Sequence, residues 1–127
     1  MARILPDNWQ NLRAGANPQL ARKLDTLAGL ANLPAGITVH HDAQWLRSED
    51  GRRVAGSVDF ALVSAGGSVL LIEQQGGYVV EGSQGPVRRA RPLAEIALGL
   101  GRSAAVVRAD LPGVALDVLL HLPDYRV

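Results

Sequence analysis

Two apolar segments separated by a short glycine-containing connection constrain the fold of this chain more than any other feature. Residues 57–63 and 69–75 are rich in valine, leucine and isoleucine, and Ala65-Gly66-Gly67 lies between them. Such residues favour strands, and a short loop with a glycine in the left-handed conformation can join two antiparallel strands. The sequence therefore predicts a β-hairpin near the middle of the chain.

The length of the loop decides which side chains share a face of this hairpin. With Ala65-Gly66-Gly67 as the loop, Asp59 lies opposite Glu73, and Gln75 lies on the same face. The other face is then apolar and carries Phe60, Leu62, Leu70 and Ile72. A two-residue turn at Gly66-Gly67 would shift the register by one residue, so that Asp59 would lie opposite Gln74 and point away from Glu73.

Two carboxylates that lie opposite each other on neighbouring strands, about 5 Å apart, repel each other. A divalent cation between Asp59 and Glu73 would remove this repulsion, and Mg²⁺ or Mn²⁺ prefers carboxylate oxygens. The alternative is a surface pair whose side chains splay apart into solvent. Both interpretations are open at this stage.

The rest of the chain alternates between helical and extended patterns. A helix is predicted to begin at Asn17-Pro18, with Asn17 as its N-cap, and a strand follows at residues 37–40. Apolar residues recur at helical spacing from Pro86 to Leu111, which we interpret as one helix rather than a helix followed by a strand at 104–107. A last strand is predicted at 114–122. This order predicts an α/β fold with a mixed central β-sheet that contains the hairpin and is flanked by helices on both sides.

Composition narrows the class of protein. The chain has 127 residues, the size of one domain spanning 1–127, and its formal net charge is +1. It contains no cysteine, which excludes disulfides, a thiolate nucleophile and cysteine-ligated metal sites. No apolar run reaches the ~18 residues that span a bilayer, and no signal peptide is recognisable. We therefore expect a cytoplasmic protein that does not enter membranes. Its small size and few aromatic residues also make homodimerisation an expectation.

The hairpin residues resemble a known family. Gly56-Ser57-Val58-Asp59, followed by Leu71-Ile72-Glu73-Gln74-Gln75, is similar to the PD-(D/E)XK nuclease superfamily, and in particular to its nuclease-related domain (NERD). That family has G-x-[IV]-D on one strand and [IV]-E-x-K on the next. Gly85-Pro86 and Leu111-Pro112-Gly113 are similar to the start of its second helix and the approach to its last core strand. The resemblance covers about residues 16–125 and implies a nuclease-like core.

The resemblance also implies roles for individual residues. Asp59, Glu73 and the main-chain carbonyl of Gln74 would hold Mg²⁺ or Mn²⁺, and Gln75 would position the attacking water. The chain departs from the family here, because Gln75 replaces a lysine and cannot supply a positive charge. Arg88 and Arg89 occupy the start of the second long helix, where exposed N–H groups favour contact with the phosphate backbone of DNA. The alternative for these arginines is a solvated helix face.

Two functions follow as expectations. The first is a metal-dependent nuclease that hydrolyses phosphodiester bonds in DNA, either alone or as the N-terminal domain of a larger protein such as a helicase. The second is a catalytically degenerate module that keeps the fold and binds nucleic acid or a protein partner. Outside the hairpin, His121 on the last strand is interpreted as a hydrogen-bonded core histidine, and His40-His41 as structural or surface residues.

Overall fold

The computed structural model of the protein describes residues 1–49, 52–75 and 93–122. These residues form a five-stranded sheet in the order β1-β2-β3-β4-β5 and two α-helices. The elements are β1 (Arg3–Leu5), a short 3-10 helix (Trp9–Arg13), α1 (Pro18–Leu30), β2 (Ile37–Glu49), β3 (Arg52–Ser64), β4 (Val69–Gln74), α2 (Leu93–Asp110) and β5 (Leu116–His121). The predicted α/β class with a mixed sheet is confirmed.

The first helix begins where the sequence predicts. Asn17 is the N-cap of α1, and its side-chain oxygen accepts a hydrogen bond of 2.8 Å from the backbone N–H of Leu20. Pro18 follows at the first helical position, where a missing N–H costs nothing because that group has no partner within the helix. Leu24 and Leu27 lie on the buried side of the helix.

Strands β2, β3 and β4 form an antiparallel meander, whereas β4 and β5 are parallel and are joined through α2. The hairpin has the register that the three-residue loop predicts, from Val63 opposite Val69 to Phe60 opposite Ile72. The alternative two-residue turn is therefore wrong. Gly67 has a φ of 89°, in the left-handed region that glycine adopts without steric cost.

The two helices cover opposite faces of the sheet, as predicted. Alternate residues of β4 show this, because Ile72 packs in the cluster under α1 and Leu71 in the cluster under α2. The buried residues on the α1 side are Ile4, Leu24, Leu27, Val39, Phe60 and Ile72. Those on the α2 side are Val58, Ala61, Val69, Leu71, Leu100 and Val107.

Two features of the structure go beyond the elements predicted from the sequence. Strand β1 pairs in parallel with β2, and the 3-10 helix follows it. Strand β2 is longer than the strand predicted at 37–40, because it continues to Glu49 and pairs with β3 as far as Arg52. The preferred single helix is confirmed from Leu93 to Asp110, since α2 runs without interruption through residues 104–107. The predicted start of this helix near Pro86 lies outside the described residues.

Candidate functional site

Strand β3 is distorted on both of its edges at Asp59. On one edge its pairing with β4 ends at Phe60 and Ile72, one residue before Asp59 would face Glu73. On the other edge, Asp59 and Asp42 are the one position left out of the ladder between β2 and β3. Asp42 has a φ of 54°, a backbone conformation rarely found inside a strand. The two strands of the hairpin therefore part where the carboxylates were predicted to meet.

The side chain of Asp59 fills the gap between the parted strands. The N–H of Gln75 donates to the carbonyl of His121 on β5, so the N–H of the preceding residue, Gln74, is directed toward β3. There it donates a hydrogen bond of 2.7 Å to Oδ2 of Asp59. The carboxylate replaces the backbone acceptor that β3 would have supplied, and this explains why Asp59 is only 7% exposed.

The second oxygen of Asp59 binds a lysine from the first helix. Nζ of Lys23 lies 2.6 Å from Oδ1 of Asp59, and both side chains are largely shielded from solvent. An ammonium group beside a shielded carboxylate offsets the cost of removing that carboxylate from water. Both oxygens of Asp59 therefore have a donor, and the positive charge next to it comes from α1.

The side chain of Gln74 extends this arrangement toward the last strand. Its Oε1 accepts a hydrogen bond of 2.7 Å from Oγ1 of Thr26 on α1 and lies 3.0 Å from Nδ1 of His121. An amide oxygen only accepts, so His121 donates through Nδ1. The predicted hydrogen bonding of His121 is confirmed, and the residue is half-buried. Lys23, Asp59, Gln74, Thr26 and His121 are called the polar cluster below.

Glu73 lies on the other side of the sheet. Side chains alternate along β4, and because Gln74 points toward α1, its neighbours Glu73 and Gln75 point toward α2. Glu73 lines a cavity of about 300 Å³ together with residues of α2 such as Arg102 and Ser103. The predicted pair of directly opposed carboxylates is not formed, because Asp59 turns into the gap between the strands and toward α1.

The predicted metal ligands are only partly brought together. The carbonyl of Gln74 points the same way as its N–H, toward Asp59, but Glu73 is directed to the opposite face. Among residues 1–49, 52–75 and 93–122, no group of three or more His, Cys, Asp or Glu side chains could hold a metal ion. In this arrangement Oδ1 of Asp59 contacts the ammonium of Lys23, and a cation held by Asp59, Glu73 and Gln74 stays a prediction. Arg88 and Arg89 lie outside the described residues.

The residues of α1 that complete the polar cluster were not predicted from the sequence. Lys23 and Thr26 are three positions apart and interrupt the buried stripe that contains Leu24 and Leu27. Residues three apart on a helix lie side by side, so both polar groups face the same point of the sheet. Two hydrogen-bonding residues beside a buried leucine stripe are the signal that could have indicated a polar partner on the sheet.

His41 lies next to this cluster and stacks on Phe60, with ring centroids 5.8 Å apart. It also lines a cavity of about 450 Å³ with His40 and Asp42. Burial lowers the pKa of His41 below its usual 6.5, and Lys23 lowers it further, although Asp42 and Asp59 act in the opposite direction. The folded protein therefore favours the neutral imidazole.

Replacing His41 by phenylalanine is expected to reduce the loss of stability in mild acid. The unfolded chain binds a proton at His41 more readily than the folded protein does, so the stability that the neutral form contributes is present above the ordinary histidine pKa and is lost as pH falls below it. The measurement is the free energy of unfolding in urea between about pH 5 and 7. An identical slope in the native chain and His41→Phe would contradict the assigned direction.

Comparison of the chain with models of known protein families, with curated proteins and with solved structures found no match. A search of the described helices for a segment long and apolar enough to cross a membrane found none.

Proposed function

We propose that this chain is a nuclease-like domain that binds nucleic acid and does not cut it. The observation that carries the proposal is the ion pair between Lys23 and Asp59, with Nζ 2.6 Å from Oδ1. This pair places the ammonium of Lys23 at the carboxylate that would have to bind a catalytic metal. The second oxygen of the carboxylate is engaged by the N–H of Gln74.

The likeness to a nuclease is supported by the placement of Asp59. It lies where β3 and β4 part, next to the backbone of Gln74, and the resemblance in sequence implies a catalytic centre at the same two residues. Hydrolysis of a phosphodiester needs strong stabilisation of the phosphoryl oxygens and an activated water. Asp59 is already neutralised, and Gln75 supplies no charge. The chain therefore keeps the strand positions of such a centre but lacks the charges that catalysis needs.

Arginine side chains near α2 favour nucleic acid as the ligand. Arg88, Arg89 and Arg91 precede α2 in the sequence, and Arg102 on α2 is exposed beside the cavity that Glu73 lines. Arginines bind the phosphate backbone without reading its sequence. With a net charge of only +1, the expected affinity is modest and falls steeply with salt.

The native chain is expected to leave DNA intact in a strand-cleavage assay. Supercoiled plasmid and single-stranded DNA would be incubated with the protein in Mg²⁺ and in Mn²⁺, beside Asp59→Ala and Gln75→Lys. We expect no cleavage by the native chain, and none by Gln75→Lys, because Lys23 continues to occupy Asp59. Metal-dependent nicking by the native chain that disappears in Asp59→Ala would overturn the proposal and establish an active nuclease.

The same preparations test binding. The polarisation of a fluorescent oligonucleotide at low salt should report a complex, and Arg88→Gln/Arg89→Gln should weaken it by on the order of tenfold through the loss of two phosphate contacts. Arg3→Gln, which removes one exposed arginine on β1, is a control for the loss of surface charge and should have little effect. If no oligonucleotide binds, the nucleic-acid proposal is wrong and a protein partner becomes the hypothesis to test.

A further inference from the structure

Strand β5 is at one edge of the described sheet and pairs there only with β4. The hydrogen bonds between these strands show how the backbone of β5 is oriented. Val69 donates to the carbonyl of Ala115 at 2.8 Å, and Gln75 donates to that of His121 at 3.0 Å. The N–H and C=O groups of one residue in a strand point to the same side. The odd-numbered residues of β5 therefore bond to β4, and Leu116, Val118 and Leu120 direct their backbone groups outward.

This edge strand carries two large apolar side chains that are exposed. Val118 and Leu119, which point to opposite faces of the sheet, are each 48% exposed. Edge strands in soluble proteins are commonly protected by lysine, proline or a bulge. The six residues from Leu116 to His121 contain neither lysine nor proline, and their pairing with β4 is continuous. A strand with these properties is suited to accept another strand.

We propose that β5 pairs antiparallel with β5 of a second copy of this chain, with Leu119 opposite Leu119. In this register Val118 exchanges backbone hydrogen bonds with Leu120 of the second copy, and both residues have the outward orientation that such a pair needs. Leu119 packs against its own symmetry mate at the two-fold axis. The two large exposed side chains of the edge are thereby covered, as expected of a self-complementary interface.

The pairing of polar side chains selects this register over its neighbours. With Leu119 at the axis, Asp117 lies opposite His121 of the second copy, and the pair occurs twice. A shift that places Val118 at the axis would set Asp117 against Leu119 instead. A shift in the other direction, with Leu120 at the axis, would set Leu119 against His121. Opposed polar partners stabilise an antiparallel pair, whereas a carboxylate facing a leucine does not.

The proposed dimer would also extend the polar cluster. Asp117, Leu119 and His121 share one face of β5, and His121 donates its Nδ1 proton to Gln74. In the dimer, the carboxylate of Asp117 from the second copy therefore lies beside a residue of the polar cluster. The proposal does not rest on the function proposed above, since it depends only on the edge strand.

Disulfide trapping tests the register directly, because the chain has no cysteine of its own. In a non-hydrogen-bonded antiparallel pair the Cα atoms are about 4.5 Å apart, which is within the range that a disulfide spans. Leu119→Cys is expected to oxidise rapidly to a covalent dimer. Val118→Cys is expected not to, since its symmetry mate is displaced along the strand. Leu98→Cys, on α2 and 57% exposed, controls for random collision.

Sedimentation of the unmodified chain provides the second measurement. We expect a concentration-dependent dimer, and Leu119→Lys should raise its dissociation constant at least about tenfold by placing two like charges face to face. Leu98→Lys should leave the constant unchanged. A monomer at every concentration would overturn the proposal. So would cross-linking of Leu119→Cys no faster than that of Leu98→Cys, and faster cross-linking of Val118→Cys would show that the register is wrong.

Discussion

Replacement of Asp59 by alanine is expected to lower the free energy of unfolding by about 3–5 kcal/mol. The substitution leaves the ammonium of Lys23 without its counter-ion in a largely shielded position. It also leaves the backbone N–H of Gln74 without an acceptor between strands that have parted. Each of these losses is costly, because water does not readily replace the missing partner. Unfolding in urea, followed by circular dichroism, measures the effect.

A double-mutant cycle separates the ion pair from the hydrogen bond. Asp59→Asn keeps an oxygen for Gln74 but removes the charge, and Lys23→Met removes the ammonium while keeping most of the apolar stem. Each single variant leaves one charge without its partner, whereas the double variant removes both charges. The double variant should therefore lose less stability than the sum of the losses in the two single variants. The difference should exceed about 1 kcal/mol.

Arg13 and Asp25 offer a matched control. They form an ion pair of 2.7 Å, close to the length of the Lys23–Asp59 pair, but their side chains are 53% and 69% exposed. An exposed pair contributes at most about 1 kcal/mol, since water and salt screen it. The cycle of Arg13→Met and Asp25→Asn should therefore show little coupling. Equal coupling in the two cycles would mean that burial does not strengthen the pair at Asp59.

The fold was largely predictable because its strongest signals are local. The N-cap at Asn17 and the loop around Gly67 each place an element from a few adjacent residues. The register of the hairpin then follows from the length of the loop. β1 could not be predicted in the same way, because three residues carry little pattern and its pairing with β2 joins segments about thirty residues apart in the chain.

The candidate site was predictable only in its location. Alternation along β3 correctly places Phe60 and Leu62 on one face, and it would place Asp59 on the other. That rule assumes that the strand is regular, and β3 is distorted opposite Asp42. Asp59 turns toward α1 because its carboxylate binds Lys23, which lies 36 positions earlier in the chain, and the N–H of Gln74 on the next strand. No periodicity within the hairpin contains that information.

The distribution of charge also explains why the prediction that Asp59 and Glu73 face each other was wrong. If Asp59 and Glu73 faced each other, a positive charge between them would relieve their repulsion, and an external cation is one source of that charge. The structure supplies that charge from Lys23 to Asp59 alone and directs Glu73 to the cavity beside α2. The repulsion between the two carboxylates, which was expected to favour metal binding, is instead relieved because Asp59 and Glu73 point to opposite faces of the sheet.

Truncation of Phe60 to alanine is expected to cost about 3–5 kcal/mol of unfolding free energy. Phe60 is 0% exposed and packs in the cluster that joins α1 to the sheet, against residues such as Leu24 and Leu27. Its ring also supports His41. Phe60→Leu keeps much of the buried area and should cost about 1–2 kcal/mol. Leu98→Ala, at an exposed position of α2, should change stability by less than about 0.5 kcal/mol.

The same variant tests whether packing of α1 holds the polar cluster together. Lys23 and Thr26 reach Asp59 and Gln74 only while α1 is docked on the sheet, and Phe60 lies in the apolar layer that docks it. In Phe60→Ala, hydrogen exchange should therefore accelerate at the backbone N–H of Gln74 and in α1 more than in α2, because local opening of α1 releases the partners of Asp59. Equal acceleration in both helices would indicate that the cavity weakens the whole domain, and that the cluster does not depend on this contact in particular.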